Sequence, residues 1–346
     1  MTTPGPGISE AALRAAIARD PNALGAHLHL AELLHQQNRT VEALMLASAA
    51  TALAPQSADA HRIHGAILVD MDPPAALDAL KKAVALDPAS HAALTMLALA
   101  HARTGDFATA AETIKPVVDE DPSNGVARHS YDAWSGATSA TWSPGYVETI
   151  FDRFAPTFDT HLRSLRYSVP EDTAALLHRV APAQRRFSRL LDIGCGTGLG
   201  AAALARYFDI PSRIGLDLSL RMIEVATAKN LYTQLIHGDT TALKGWSGDF
   251  DLMIALDVFI YVGALEQLFS DIAPRLAPGG LIAYSIETAI VDTYELRPTG
   301  HYVHNPDYID TAGELYGLKP AGGATCILRE ESGKRVPGYI GILQRA

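Results

Sequence analysis

The chain has 346 residues, 48% of them hydrophobic and 19% charged, which allows two domains with buried cores and excludes a mostly disordered, collagen-like or low-complexity chain. Lys and Arg number 28 against 38 Asp and Glu, and the resulting charge of -10 offers no broad electrostatic footprint for a nucleic acid. Two cysteines, Cys195 and Cys326, are too few for a disulfide framework and point to a reducing cytoplasm. The opening MTTPGPGISEAALRAA lacks a basic-then-apolar leader pattern, and no stretch reaches the roughly 18 apolar residues of a membrane span. The expectation is therefore a soluble, untargeted, cytoplasmic chain without membrane attachment.

From the N-terminus, the phrases DPNALGA, APQSADA, DPASHAA and DPSNGVA place prolines at 21, 55, 88 and 122, with spacings of 34, 33 and 34. That is the tetratricopeptide period, in which helix pairs bury their faces only by stacking on neighbouring pairs. Small residues recur in register: Ala31, Gly65 and Ala98 ten residues after the first three prolines, and Ala43, Ala76 and Ala110 twelve before the last three. Helices are expected over 23–35 and 40–54, 57–70 and 75–87, and 90–103 and 107–121. The intervening turns fall at Asn38-Arg39, Asp72-Pro73-Pro74 and Gly105-Asp106. Ile8 to Arg19 reads as a capping helix. Residues 1–125 carry 8 basic and 14 acidic side chains, so a protein partner on this block is expected to be basic or neutral.

Residues 126–145, rich in Ser, Thr and Gly, read as a linker that Trp134 and Trp142 pin to one domain. Beyond Tyr146, helices alternate with short apolar strands, the pattern of a parallel sheet covered on both faces.

The strongest local signal is RLLDIGCGTG at 189–198, an apolar strand running into a glycine-rich turn and then a helix over 199–208. Gly196-x-Gly198-x-x-Ala201, with Asp217 about 20 residues on, also satisfies the dinucleotide fingerprint. What separates the readings is Asp192, two residues before Gly194, because a carboxylate there repels a pyrophosphate but suits a ligand carrying an ammonium group. From about Tyr146 to the C-terminus the chain resembles the class I S-adenosylmethionine (SAM)-dependent methyltransferases. Downstream blocks follow in order: IGLDLSLRMI ending a strand at Asp217, LIHGDTTAL ending one at Asp239, FDLMIALDVFIYVG, and LFSDIAPRLAPGGLIAYSIE.

That resemblance implies a two-domain architecture, α plus α/β: a tetratricopeptide solenoid over 1–125, the linker at 126–145, and a Rossmann-like, seven-stranded methyltransferase domain over 146–346. The last strands are expected over 324–329 and 339–344. It implies SAM as cofactor and S-adenosylhomocysteine as product, with no metal. Gly194, Cys195, Gly196 and Gly198 would lie along the methionine part and ribose, and Asp192 would orient the amino acid end. Asp217 would accept from both ribose hydroxyls. Leu218 and Met222 would meet the adenine, Asp239 and Thr240 would contact its edge, and Gly238 and Leu256 would complete the lining. The phrase FDRFAPTFDTHL at 151–162 is similar to the entry helices of quinone- and biotin-pathway methyltransferases, and the layout as a whole resembles bacterial methyltransferases with tetratricopeptide repeats. Tyr167 and His161 would then lie near the cofactor mouth, while Phe151, Phe154 and Phe158 read as core residues at helical spacing.

Candidates on the acceptor side are Asp257, Tyr261, Glu287, Tyr302 and His304, the last two from GHYVHNPDY at 300–308; Asp257, Tyr261, Tyr302, His304 and His161 carry the catalytic expectation, with His304 as the base. LDVF at 256–259 replaces the Pro-Pro-Tyr type of motif found in many nucleic-acid and glutamine methyltransferases, which makes nucleic acid an unfavoured substrate. The leading reading is methyl transfer to an oxygen or nitrogen of a small molecule, or of a metabolite or peptide presented by a partner. The alternatives are a protein methyltransferase whose repeats select the substrate, a non-catalytic SAM-binding scaffold, and an NAD(P)-dependent oxidoreductase.

Overall fold

The repeat prolines of the sequence mark the junctions of a helical array: α1 (Glu10–Arg19), α2 (Leu24–Gln36), α3 (Thr40–Leu53), α4 (Ala58–Leu68), α5 (Pro73–Leu86), α6 (His91–Arg103) and α7 (Phe107–Glu120). The molecule is seen here in a computed structural model, which describes residues 9–139, 144–181, 186–243, 250–331 and 333–346. Local chemistry explains the helix starts. Ser9, Ser57, Asp72, Ser90 and Asp106 each accept, through the side chain, the backbone N–H three residues on. Prolines at the start of α5 leave no donor wasted there.

The small-residue columns are what let the helices approach. Ala31, Ala43, Ala76, Ala98 and Ala110 are fully buried. At Gly65 a Cβ atom would sit 2.5 Å from Cγ of Leu80, so α4 and α5 meet at a separation that excludes even a methyl group. Ile8 and Trp142 lie outside the described residues.

One expectation is corrected here. The stretch read as a linker from 126 begins instead with α8 (Gly125–Ser135), started by Asn124 accepting from the Ala127 N–H at 3.0 Å. Its Ala127, Tyr131 and Trp134 cover Ile114, Val117 and Val118 of the last repeat. An array of repeats always leaves one apolar face at its end, and this helix buries it. The chain divides into two compact units between Ser135 and Gly136.

The second unit opens with α9 (Pro144–Phe154), α10 (Phe158–Ser164) and α11 (Val169–Val180), then alternates strands and helices. These are β1 (Arg189–Ile193), α12 (Leu199–Leu204), β2 (Ser212–Asp217), α13 (Leu220–Ala228), β3 (Gln234–His237), β4 (Phe250–Ala255), α14 (Glu266–Ile272), β5 (Leu276–Thr288), β6 (Tyr294–Leu296), β7 (Tyr302–His304), α15 (Pro306–Glu314), β8 (Leu318–Glu331) and β9 (Lys334–Arg345). The order β3-β2-β1-β4-β5 is parallel throughout, and antiparallel β9 follows β5 and pairs with β8. The strand order reverses between β1 and β4, the position at which open α/β sheets bind ligands outside the carboxyl ends of their strands.

The seven expected strands are present, but the described residues form a nine-stranded sheet. The additional pair is β6 and β7, contributed by the 294–304 insertion; β7 joins the carboxyl end of β5 in parallel, with Glu287 opposite Val303. Period-two alternation divides the core cleanly. Leu191, Met253, Ile282 and Tyr284 face one side with Phe269 and Ile309, while Leu190, Leu252, Leu281 and Ala283 face the other with Leu177 and Ala203.

Candidate active site

The first wall is the turn that leaves β1. Gly194 and Gly198 take φ of 65° and 95°, which side chains rarely adopt, and at Gly194 a Cβ atom would lie 2.5 Å from Val258. The turn folds back so that the Gly196 N–H donates to Asp217 Oδ2 at 2.7 Å, while the Ser219 N–H donates to Oδ1 at 2.8 Å. Asp217 thus ends β2 as a carboxylate fixed by backbone on both oxygens. Burial pushes its pKa up, and the two N–H groups pull against that shift.

Asp192 is more enclosed. It is 3% exposed, burial pushes its pKa up to about 7, and Tyr232 donates its hydroxyl to Oδ2 at 2.6 Å. Cys195 is buried beneath the turn and its thiol is pushed up, so it is a packed residue rather than a reactive one. Met222 is fully buried, and its N–H is held by Ser219 Oγ at 3.0 Å. Leu218, Gly238, Asp239, Thr240 and Leu256 are half-buried at the carboxyl ends of β2, β3 and β4, with Thr240 donating to Asp271 at 3.1 Å.

Two aspartates absent from the sequence-based candidates bind α9 and α10 to this wall. Asp152 accepts from Ser219 Oγ at 2.5 Å, and Asp159 accepts from Thr197 Oγ1 at 2.5 Å and from Lys229 Nζ at 2.6 Å. They stand seven residues apart in the phrase whose phenylalanines drew attention. Phe154, expected in the core, is 42% exposed and stacks on His161, itself exposed. Phe151 meets Phe158 and Tyr261 edge-on, with centroids 5.9 and 5.5 Å apart.

The second wall gathers at the carboxyl ends of β4 and β5. Asp257 takes φ 54° and closes a mutual pair with Ser285, its N–H donating to Oγ at 2.7 Å and its Oδ1 accepting from Oγ at 2.8 Å. Tyr167, held well above the usual phenol range by burial and then by Asp257, belongs to the same cluster. Arg329 of β8 is 5% exposed; its Nη2 donates to Glu287 Oε1 and its Nε to Glu331, while Nη1 lies 3.9 Å from Asp257 without a hydrogen-bond partner among the described residues. Glu287 also accepts from His301 Nδ1 at 2.8 Å. Burial alone would raise the Glu287 pKa, but His301 and Arg329 outweigh it and hold the carboxyl down at about 2.

His304 and Tyr302, expected at the acceptor, sit in a different environment. Both are fully buried. His304 Nε2 donates to the carbonyls of Val262 and Gly263 at 3.0 and 3.1 Å, and burial takes its pKa down to about 4. Tyr302 donates to the Ser139 carbonyl at 2.8 Å. The reason is pleating: residues 302 and 304 share one face of β7, and His301, an odd number of residues from both, is directed differently. On this second wall, Arg329 and His301 are residues that sequence reasoning missed. His301 was signalled only as the companion of His304, and Arg329 reads in ILREE as an ordinary strand-edge charge.

Comparison with known proteins agrees with this geometry. Residues 190–280 match the family model of a methyltransferase domain, and residues 6–58 and 72–125 match that of a tetratricopeptide repeat. The chain is 30% identical over 148 residues to a trans-aconitate 2-methyltransferase of Deinococcus radiodurans, covering 42% of this chain and 49% of that one. It is 31% identical over 141 residues to a malonyl-[acyl-carrier protein] O-methyltransferase of Enterobacter lignolyticus, covering 40% and 52%. With the human methyltransferase-like protein 27 the identity is 32% over 146 residues, covering 40% and 57%. The chain spans about half the length of the curated relatives it matches. Sheet order, glycine turn and family matches agree on a methyltransferase-type domain preceded by tetratricopeptide repeats.

Proposed function

We propose that this chain transfers a methyl group from SAM to an oxygen or nitrogen of a small molecule, or of a metabolite or peptide presented by a partner. The observation that carries the reading is Asp217. Each of its oxygens takes one backbone N–H and keeps a further lone pair, which suits the two hydroxyls of a ribose. Gly194, Gly196 and Gly198 would lie along the methionine part, with Leu218, Gly238, Asp239, Thr240 and Leu256 around the adenine. Asp192 acts from beneath, through Tyr232, to hold the turn in shape. When bound, SAM supplies a methyl group already activated for in-line displacement. The protein's own part is to align the acceptor and exclude water, and Asp152 and Asp159 serve the second task by fastening α9 and α10 across the turn. Among the described residues no helix is long and apolar enough to cross a membrane.

The repeats favour a second reading, in which the acceptor belongs to a protein that the acidic array selects. Incubating the purified chain with methyl-labelled SAM and fractionated lysate separates the two. Label in a small molecule supports the first reading and label in a protein band the second. SAM binding without any transfer would indicate a scaffold. NADH binding without SAM binding, measured by calorimetry, would overturn both.

A further inference from the structure

The strand carrying His304 also positions another imidazole, at its entry. His301 Nδ1 lies 2.8 Å from Glu287 Oε1, and a carboxylate can only accept, so the Nδ1 position carries the hydrogen, and in the neutral imidazole Nε2 is the acceptor. Arg329 Nη2 lies 3.2 Å from the same Nδ1, but both are donors directed at one Glu287 oxygen, so that approach reflects a shared acceptor. Nε2 faces the Tyr261 hydroxyl at 3.4 Å, and Tyr261 in turn meets Phe151 of α9. With Nε2 bare, the Tyr261 hydroxyl is its donor, so the lone pair lies beside the residues that follow β4, at the carboxyl ends of the strands that also carry Asp217 and the glycine turn.

We propose that His301 is the general base of methyl transfer, oriented by Glu287, and that the acceptor reaches the site with a proton on its nucleophilic atom, as an ammonium or an acidic hydroxyl. The proposal rests on the methyl-transfer reading above. Arg329 is a positioning residue: it donates to the same Glu287 oxygen as His301 and keeps that carboxylate ionised. The charged and titratable groups around the imidazole are Glu287 from β5, Arg329 and Glu331 from β8, and Asp257 and Tyr261 from the segment after β4. Three carboxylates against one guanidinium leave the surroundings negative, which favours a cationic or neutral acceptor over an anionic one. In the step itself, the acceptor's proton would pass to His301 Nε2 and then to solvent, and the electron pair it leaves would form the bond to the methyl carbon while the sulfur–carbon pair stays on the departing sulfur.

The test uses His301→Gln and Glu287→Gln in the full chain. Both should bind SAM within about twofold of wild type by calorimetry. His301→Gln should slow label transfer by about 10²-fold or more and lose the acid limb of the wild-type pH–rate profile. Glu287→Gln should retain an acid limb at a shifted pH, which loss of a merely structural contact would not produce. Full-rate transfer by His301→Gln overturns the proposal. Nitrogen-15 spectra of labelled imidazoles provide a readout that needs no acceptor: Nδ1–H with bare Nε2 at His301 supports the dyad, and the opposite tautomer overturns it. A wild-type chain that binds SAM and labels nothing counts against the methyl-transfer reading instead, and the spectra still decide the dyad.

Discussion

The two walls of the site are built in opposite ways. The proposed cofactor wall is local: Gly194, Gly196, Asp217, Ser219 and Met222 fall within 29 residues, joined by hydrogen bonds from backbone N–H groups to the side chains of Asp217 and Ser219. The proposed acceptor wall gathers Tyr167, Asp257, Tyr261, Glu287, His301 and Arg329 from across more than 160 residues and is joined by side-chain charges. Backbone contacts can hold one shared cofactor with little dependence on neighbouring side chains. A side-chain network can be rebuilt around a different acceptor while the sheet stays intact.

The contrast is broken most severely at Arg329. Arg329→Ala leaves Glu287 buried without its guanidinium, and the expected loss is about 3–5 kcal/mol of unfolding free energy in a urea titration. A loss below about 1 kcal/mol would show that the acceptor wall does not depend on this network. Asp217→Ala leaves the Gly196 and Ser219 N–H groups unpaired, at a cost of about 1–3 kcal/mol of stability, and should weaken SAM binding by about 10²-fold in calorimetry, from two lost hydrogen bonds to a charged acceptor. An affinity within threefold of wild type would remove Asp217 from the cofactor site.

The subtlest difference is in pH dependence. Asp192 is raised in the folded chain to about 7 from an ordinary value near 3.8. The folded state therefore binds this proton more tightly, and the associated stability is full below about pH 4 and is lost as pH rises through about 7. Glu287 has the opposite sign: held at about 2, it contributes above about pH 4.5 and loses that contribution only as pH falls through 2. Below about pH 6.5 the buried His304, lowered to about 4, contributes a slope of opposite sign, so between about pH 6.5 and 8 the slope should belong to the cofactor wall, and Asp192→Asn should flatten it there in urea titrations of the SAM-free protein. An unchanged slope in that variant would assign the pH dependence elsewhere.

Legibility in the sequence follows the same division. The helix pairs of the repeats were readable within one or two residues, because a 34-residue period and fully buried small residues such as Ala43 and Ala98 admit few registers. α8 was not, since a Ser- and Gly-containing stretch becomes helical only because the last repeat offers Ile114 and Val117 to cover. His304 drew attention over His301 because both are histidines in one polar phrase, and only the register of β7 against β5 shows which of them meets Glu287.

By itself, then, the sequence determined the repeats, the parallel sheet and the glycine turn leading to Asp217, since each is specified by periodicity or by neighbours close along the chain. Tertiary structure alone decided the partners of Glu287, the burial of His304 and the placing of Arg329. Those depend on which strands become neighbours, and a charge on β8 has no relation to a carboxylate on β5 until β9 has paired with both.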